Sequence, residues 1–387
     1  MQQEEAFQSI RPYNNDEVTG VIEQLLKEPM FLKVLPAVYP KRDIEEVIQN
    51  LEKISSVKKF QKEVVYEYLR AIIDKTINKL SFSGLENLGP DKNFLFMSNH
   101  RDIILDSALM NVILFENNIK TSEIAIGSNL LIFPWIEMLV KLNKSFVVKR
   151  NLPVKEMLLA SKELSAYIQY VLLEKKRSVW IAQKEGRTKN GNDSTHSGLL
   201  KMIHMSSNEP LSSYIRSINL VPVSISYEVE PCDKHKTQEL YIRMKDGKYI
   251  KNPKEDLLSM VGGLNNFKGR VHICFGKVLD EELDILDSIP NFNEQYGKLA
   301  QIVDQSIHEN FRLFEGSYIA YDILSKSEKF KDKYTNAEFR SFSRHLLSQI
   351  SEIEGDKETI KQIFLGIYAN PLINKFKLDK IAMVQDS

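Results

Sequence analysis

The spacing of hydrophobic residues changes twice along the 387-residue chain, and these changes divide it into three regions. In residues 1–79, apolar side chains recur at intervals of three and four, which is the pattern of amphipathic helices. Residues 80–280 contain short apolar runs that alternate with helical patterns, and residues 281–387 return to the helical spacing. We therefore predict a layered α/β domain flanked by a helical N-terminal domain and a helical C-terminal region.

Short apolar runs bounded by turn residues mark the strands of the middle region. Some of them alternate apolar and polar residues, and others are continuously apolar. The predicted strands are residues 80–84, 94–97, 144–150, 178–182, 220–227 and 271–276. Because helical patterns separate several of these runs, the region is expected to form a sheet that is covered by helices.

The charge balance and the cysteine content argue against several classes of protein. Lysine plus arginine and aspartate plus glutamate each total 52, and the pI is about 7.1, so no overall positive field favours nucleic-acid binding. The two cysteines, Cys232 and Cys274, form no metal-binding pattern, and so few cysteines are typical of a reducing compartment. The first residues lack the pattern of a signal peptide, and no segment is long and apolar enough to cross a bilayer. We therefore expect a cytoplasmic protein, or one that lies on a membrane without spanning it.

A histidine, His100, lies where the predicted strand 94–97 gives way to a helix. Open α/β sheets place their chemistry at such strand-to-helix turns. Asp102 is suited to cap the helix, and both Asp102 and Asp106 follow the histidine closely enough to be candidate partners for it. A carboxylate that holds the imidazole in one tautomer leaves the other ring nitrogen to accept a proton from a hydroxyl.

Charged residues and a glycine follow two further predicted strands. Lys149 and Arg150 end one strand, and Glu185, Gly186 and Arg187 follow another. Each group alone is typical of an ordinary solvent-facing turn. Together with the histidine they describe a pocket with a base, cations for a phosphate, and a glycine that permits close backbone approach. Such a set suits the activation of a hydroxyl on a small phosphorylated molecule.

These strand ends, taken in order, resemble the motifs of the glycerol-phosphate and lysophosphatidate acyltransferase family. Residues 98–101, Ser-Asn-His-Arg, resemble its first motif, and residues 145–150 resemble its second. Residues 185–188, Glu-Gly-Arg-Thr, resemble the third, and residues 221–223, Val-Pro-Val, resemble the fourth. The order and spacing agree over roughly half of the chain, which makes the combination more specific than any single motif.

Two positions depart from the family pattern. Four residues separate the histidine and aspartate of the first motif in the family, whereas five separate His100 from Asp106 and one separates it from Asp102. We favour Asp106 as the partner of His100 because it precedes an apolar helix, as the aspartate of the family does. In the third motif Arg187 directly follows the glycine, so its placement relative to the phosphate is open.

The resemblance implies an acyltransferase domain over residues 80–280, built on a mixed sheet, and direct acyl transfer as its reaction. His100, oriented by Asp106, would remove the proton from a hydroxyl of glycerol-3-phosphate, lysophosphatidate or a related lyso-lipid. That hydroxyl would attack the thioester of acyl-CoA or acyl-carrier protein, which is a substrate and not a cofactor. No metal is expected, and no serine or cysteine nucleophile is needed.

The resemblance also implies roles for the substrate-binding residues. Arg150 and Arg187 would bind the phosphate of the acceptor, Lys149 would assist them, and Glu185 would orient them. Gly186 belongs to the same third motif. Pro222 would shape the side of the pocket that receives the acyl chain.

Rival interpretations come from other classes of protein. Residues 100–102, His-Arg-Asp, are similar to a protein-kinase catalytic loop, but Ser107 stands where the metal-binding asparagine belongs. His196 and His204 do not have the spacing of metal ligands on a helix. The more serious alternative is a non-catalytic lipid-binding or scaffold protein on an acyltransferase fold, which the shifted aspartate favours.

An apolar segment at residues 124–142 is the predicted membrane-docking surface. Trp135 is of the type that settles at the level of the lipid headgroups, and Lys141 and Lys144 are suited to meet anionic lipid. We therefore expect a peripheral location on the cytoplasmic face of a membrane. The alternative interpretation is that this segment packs in the core.

Overall fold

The computed structural model describes residues 2–250 and 255–385, and within them the side chains of residues 4–250 and 255–378. Its strands are β1 (Ile77–Ser83), β2 (Leu95–Ser98), β3 (Glu123–Gly127), β4 (Ser145–Val148), β5 (Val179–Ala182), β6 (Leu220–Tyr227) and β7 (Gly269–Phe275). They form one seven-stranded sheet in the order β1-β7-β6-β2-β5-β3-β4. Strands β6 and β7 are antiparallel, whereas β1 with β7, β2 with β6, and β3 with both β4 and β5 are parallel. The predicted α/β fold with a mixed sheet is confirmed.

Helices occupy the chain before β1, between the strands, and after β7. The α-helices are α1 (Gln2–Glu5), α2 (Val18–Leu25), α3 (Pro29–Val38), α4 (Ile44–Glu52), α5 (Val57–Phe60), α6 (Glu67–Thr76), α7 (Leu105–Glu116), α8 (Pro134–Leu142), α9 (Val154–Gln169), α10 (Ser197–His204), α11 (Leu211–Ser217), α12 (Asp233–Asp246), α13 (Glu255–Asn265), α14 (Asp284–Asp287), α15 (Phe292–Asn310), α16 (Glu315–Ser325), α17 (Asn336–Ser351) and α18 (Lys357–Gln385). Local capping contributes to these boundaries, since Asp43 accepts a hydrogen bond from Glu45 N at the start of α4 and Thr335 forms a capping box at the start of α17. The helical regions predicted in the sequence before and after the sheet-containing region are confirmed.

One strand, β3, was not among the predicted strands. It begins with Glu123, a residue type that is rarely buried, and it ends at Gly127, which interrupts the apolar run. The Glu123 side chain is buried because it accepts a hydrogen bond from Tyr167 Oη at 2.6 Å and pairs with Arg177 at 3.2 Å. These partners lie more than forty residues along the chain, so the local pattern carries no sign of them.

The described chain divides into two compact units. The first comprises Met1–Ile72, Asn111–Trp180 and Met202–Ser207, and the second comprises Ile73–Met110, Ile181–Lys201 and Asn208–Ser387. The first has a core built largely from α2, α3 and α4, and the second has a helical core built largely from α16, α17 and α18. The predicted domain boundaries, after residues 79 and 280, stay predictions.

The predicted docking segment packs mainly inside the first unit. Trp135 and Leu139 lie against its hydrophobic core, and the Trp135 ring is 6.2 Å from that of Phe31. Lys141 is buried over the Tyr13 ring, with 5.5 Å between its Nζ and the ring centre. Trp135 and Lys141 are therefore engaged within this unit, as the alternative interpretation expects, whereas Ile132 and Phe133 of the same segment are exposed. Across the described residues, no helix has both the length and the hydropathy that crossing a bilayer requires.

Candidate active site

The strand-to-helix turn after β2 is fixed by Asn99. Its side-chain amide donates to Ile225 O at 2.9 Å and its side-chain oxygen accepts from Ile225 N at 2.8 Å, so it mimics one more residue of the parallel β2–β6 ladder. Asn99 is fully buried in the second compact unit. The end of β2 is therefore held in register with β6, and His100 follows at a defined position.

His100 is hydrogen-bonded to Asp106, which lies in the first turn of α7. The distance between His100 Nδ1 and Asp106 Oδ2 is 2.8 Å. The same carboxylate oxygen accepts the backbone N–H groups of Arg101 at 2.6 Å and Asp102 at 3.0 Å. The other oxygen accepts a hydrogen bond from Tyr227 Oη at 2.8 Å. Four donors thus surround a carboxylate that is completely buried, and together they keep it oriented towards the imidazole.

This arrangement selects the tautomer of His100. Because a carboxylate accepts at Nδ1, the neutral imidazole carries its proton on that nitrogen, and Nε2 is the nitrogen that can accept one. Tyr227 contributes as a donor only while it is protonated. Burial, together with the nearby charge of Asp106, raises its pKa well above the usual value, so the phenol stays protonated at neutral pH. The site is thus suited to accept a proton from a substrate hydroxyl.

Asp102 has a different function in the structure, at the start of α7. Its Oδ1 accepts the backbone N–H groups of Ile104 at 2.9 Å and Leu105 at 2.8 Å, which caps the helix. Its Oδ2 is buried against Gly263 and has no hydrogen-bond partner among the described residues. Burial and the neighbouring Asp106 raise the pKa of Asp102. Of the two candidate carboxylates, Asp106 is the one that accepts the hydrogen bond from the imidazole.

Asp102→Asn is expected to change acyl transfer by no more than about threefold, because the amide oxygen retains the two capping hydrogen bonds and the buried charge is removed. Steady-state rates of the variant and the parent protein, measured side by side, check this. A loss comparable to that of a His100 variant would show that Asp102 takes part in the proton transfer.

The segment that resembles the third motif lies beside the histidine. Thr188 N donates to His100 O at 2.7 Å, which fixes the segment against the turn after β2. Gly186 has a φ of 71°, a backbone conformation that favours glycine, and no protein atom lies within 4 Å of the position that a Cβ would occupy there. Glu185 is exposed. Arg187 is half-buried, and its buried Nη1 has no hydrogen-bond partner among the described residues.

Arg187 also acts on two neighbouring groups. Burial raises the pKa of the Asp102 carboxyl and of the Cys232 thiol, and the positive charge of Arg187 partly opposes both shifts, together with a hydrogen bond between Arg187 and the Cys232 thiol. The guanidinium is therefore close to the turn that carries His100. A buried cationic donor without a partner is typical of a site that receives an anion.

A cluster of buried charged side chains stabilises the strand-to-helix turn that carries His100. Arg101 is almost completely buried, and its guanidinium binds Asp193 at 2.5 Å and Glu230 at 3.2 Å. Lys236 Nζ donates to Glu230 at 2.6 Å and to the backbone oxygen of Arg101 at 2.8 Å. Because Arg101 N also binds Asp106, this cluster ties the backbone beside the histidine to the start of α12.

Pro222 lies in β6, opposite Met97 of β2, and is buried in the sheet. Its carbonyl accepts the Gly276 N–H at 2.9 Å. Lys149 and Arg150 belong to the other compact unit. There Lys149 pairs with Glu163 at 2.8 Å, and Arg150 N donates to Ser128 Oγ at 2.9 Å. The substrate-binding roles of these three residues stay predictions.

Several residues that hold the site were not assigned a role from the sequence. They are Asn99, Arg101, Asp193, Tyr227, Glu230 and Lys236. Tyr227 ends a predicted strand, which was the available signal for it. The others are single polar residues whose side-chain partners, apart from the Glu230–Lys236 pair, lie at least ninety residues away along the chain. Across the described part of the chain, no three His, Cys, Asp or Glu side chains are grouped so as to hold a metal ion.

Part of the chain matches a known protein family. Residues 79–226 match the family model described as Acyltransferase. The chain is similar to the crystal structure of the 1-acyl-sn-glycerophosphate acyltransferase PlsC from Thermotoga maritima, with 13% identity, a TM-score of 0.39, and coverage of 76% of this chain and 94% of that one. None of the curated proteins matches the chain. His100 and Asp106 both lie within the residues that match the acyltransferase family model, the family that the motifs resemble.

Proposed function

We propose that this protein transfers a fatty acyl group from an acyl thioester to a hydroxyl of a glycerol-phosphate-type acceptor, such as glycerol-3-phosphate or lysophosphatidate. The observation that carries the proposal is the His100–Asp106 pair, at 2.8 Å, within an acyltransferase domain. A pair held this firmly is unexpected in a protein that only binds lipid. The proposal therefore favours an enzyme over a lipid-binding scaffold.

The reaction proceeds in one transfer. His100 Nε2 accepts the proton of the acceptor hydroxyl while the oxygen of that hydroxyl attacks the carbonyl carbon of the thioester. Asp106 stabilises the imidazolium that forms. As the tetrahedral intermediate collapses, the carbon–sulfur bond breaks, the new ester remains, and the departing thiolate recovers a proton from His100. Acyl-CoA and acyl-carrier protein present the same thioester, so this chemistry serves both donors.

An acyl-cysteine intermediate is not part of the proposal. Both cysteines are buried, and burial raises the pKa of each thiol. A thiol with a raised pKa forms little of the nucleophilic thiolate at neutral pH. Direct attack by the acceptor hydroxyl requires no such group.

Arg187 is the proposed contact for the acceptor phosphate. Its segment is fixed to His100 through Thr188 N, and its Nη1 is a buried donor without a protein partner. A guanidinium binds phosphate through paired, charge-assisted hydrogen bonds. Lys149 and Arg150 are proposed, from the family resemblance, to add further positive charge for the acceptor.

The test is acyl transfer by the purified full chain. The protein is incubated with labelled acyl-CoA or acyl-carrier protein and, separately, with glycerol-3-phosphate, lysophosphatidate and a lyso-aminolipid, after which the lipids are extracted. We expect a labelled ester with at least one phosphate-bearing acceptor and none with a His100→Ala preparation. Lipid binding without product, for every combination, would favour the scaffold alternative.

Arg187→Ala is expected to raise the KM of the acceptor and to leave the KM of the donor nearly unchanged, because the contact to phosphate exists before and during the reaction. Loss of one charge-assisted contact corresponds to roughly a ten- to hundredfold fall in kcat/KM. Steady-state kinetics with each substrate varied in turn measures this. Arg187→Lys, which keeps the charge but not the paired donors, is expected to be intermediate. A rise in the KM of the donor alone would assign Arg187 to the coenzyme or carrier.

A further inference from the structure

Helix α9 carries a hydrophobic stripe that extends beyond its buried part. Leu164 and Ile168 are buried. Val154 and Met157 continue the same stripe at helical spacing towards the N-terminus, yet they are 83% and 51% exposed. Leu158 and Leu159 beside them are also exposed. The stripe is thus covered over the second half of the helix and uncovered over the first two turns.

These first turns are exposed on every side. Each residue from 154 to 159 is exposed, including those between the apolar positions. In a soluble helix the exposed positions are ordinarily polar, so four large apolar side chains within six residues are unusual. The start of α9 is therefore an apolar projection.

Charges are distributed unevenly around this projection. Lys155 and Lys162 are exposed and, seven residues apart, lie on one flank of the stripe. Glu156 and Glu163 lie on the side roughly opposite to Val154, at about 100° per residue. Glu163 is also engaged by Lys149 at 2.8 Å and by Ser9 Oγ at 3.0 Å. The stripe is consequently bordered by cations on one flank, and the acidic groups lie on the opposite side of the helix, next to Leu159.

A second exposed apolar pair lies within the same compact unit. Ile132 and Phe133 are the exposed large hydrophobic residues of the segment between β3 and α8. Arg150, in the loop that leads into α9, donates its backbone N–H to Ser128 Oγ at 2.9 Å. The two apolar stretches therefore begin from neighbouring points at the carboxyl ends of the adjacent parallel strands β3 and β4.

We propose that the first two turns of α9 insert into the headgroup region of an anionic lipid bilayer. Apolar side chains bordered by lysines suit such a surface, because the side chains enter the acyl boundary while the ammonium groups meet lipid phosphates. The inference rests on the proposed function, in which the acceptor or the product is a lipid. It places docking on α9 and not on Trp135, which packs against the core.

The test is co-sedimentation of the full chain with vesicles, in the absence of substrates. Vesicles of phosphatidylcholine alone are compared with vesicles of an equimolar mixture of phosphatidylcholine and phosphatidylglycerol. We expect the parent protein to bind the anionic vesicles, and Met157→Ser/Leu158→Ser to bind them at least about tenfold more weakly. Lys155→Gln/Lys162→Gln should also bind more weakly, and its difference from the parent should shrink as the salt concentration rises. The matched control is Met244→Ser/Leu347→Ser, which changes the same residue types at positions that are 60% and 62% exposed on other helices. The control is expected to bind within twofold of the parent.

Several results would overturn this inference. The first is failure of the parent protein to bind anionic vesicles. The second is an equal loss of vesicle binding in the apolar α9 variant and in the control. The third is a parent oligomer that the apolar α9 variant converts to monomers while vesicle binding is unchanged. Acyl transfer to a short-chain, fully soluble acceptor separates this inference from the proposed function. The α9 variants should retain that transfer. If the proposed function is wrong, the parent protein itself will not catalyse the transfer, although it will still bind the vesicles.

Discussion

His100→Ala is expected to lower kcat for acyl transfer by roughly 10²- to 10⁴-fold, the usual contribution of a general base, and to leave the fold intact. The variant removes one of the four hydrogen-bond donors to Asp106. The carboxylate keeps the N–H groups of Arg101 and Asp102 and the hydroxyl of Tyr227, so it does not become an unpaired buried charge. Initial rates and thermal unfolding of the same preparations measure the two effects. Near-parent turnover by the variant would rule out His100 as the base.

Asp106→Asn provides the companion measurement. The oxygen Oδ2 accepts three N–H groups, from His100, Arg101 and Asp102. An asparagine keeps these only with its oxygen in that position, which turns its NH₂ towards Tyr227 Oη, and it lacks the negative charge that stabilises the imidazolium. The variant should therefore lose activity almost as severely as His100→Ala, and it should also be less stable. Tyr227→Phe, which removes one of the four donors and keeps the charge, should have a smaller effect on both. If Asp102→Asn proved more damaging than Asp106→Asn, the pairing with His100 would not be the catalytic one.

The sequence predicted where the candidate site lies, but it did not predict most of the residues that hold His100 and Asp106 in place. Continuous apolar runs, such as residues 94–97, identify strands because burial on both faces leaves little ambiguity in the pattern. His100 was recognisable because it comes three residues after this run. The choice between Asp102 and Asp106 depends on how the chain turns at residues 101–104, and no rule of spacing fixes that turn.

The parts that the sequence did not reveal depend on contacts between distant segments. Tyr227 reaches Asp106 across 121 residues, and Glu123 is buried only because Tyr167 and Arg177 cover it. A polar residue in a sequence is normally assigned to the surface, since an unpaired buried charge is costly. Where the fold supplies a partner, that expectation fails, as it does for β3 and for the charges beneath the His100 turn.

Arg101→Met is expected to be the most destabilising of the substitutions considered for this site. The guanidinium lies between Asp193 and Glu230, and all three side chains are buried. Removing it leaves Asp193 without its ion-pair partner and Glu230 with Lys236 alone. Breaking a buried ion pair in this way costs about 3–5 kcal/mol, because a charge remains in the interior without compensation. The free energy of unfolding in urea, extrapolated to water, measures the loss.

Arg243→Met is the matched control, since Arg243 also pairs with a glutamate, Glu239, but is largely exposed. Glu239 is buried but keeps Lys189 as a second partner in this variant, and the exposed Arg243 contributes at most about 1 kcal/mol, so the control should unfold almost as the parent does. Arg101→Met should in addition lower kcat under conditions where it remains folded. Its backbone N–H binds Asp106 and its carbonyl accepts Lys236, so a loosened cluster lets the carboxylate shift relative to His100. Equal stability of the two variants would show that the buried cluster does not hold the turn. A loss of stability without any change in kcat would show that the cluster stabilises the fold but does not orient Asp106. Tyr227 and the backbone at the start of α7 would then be sufficient to orient it.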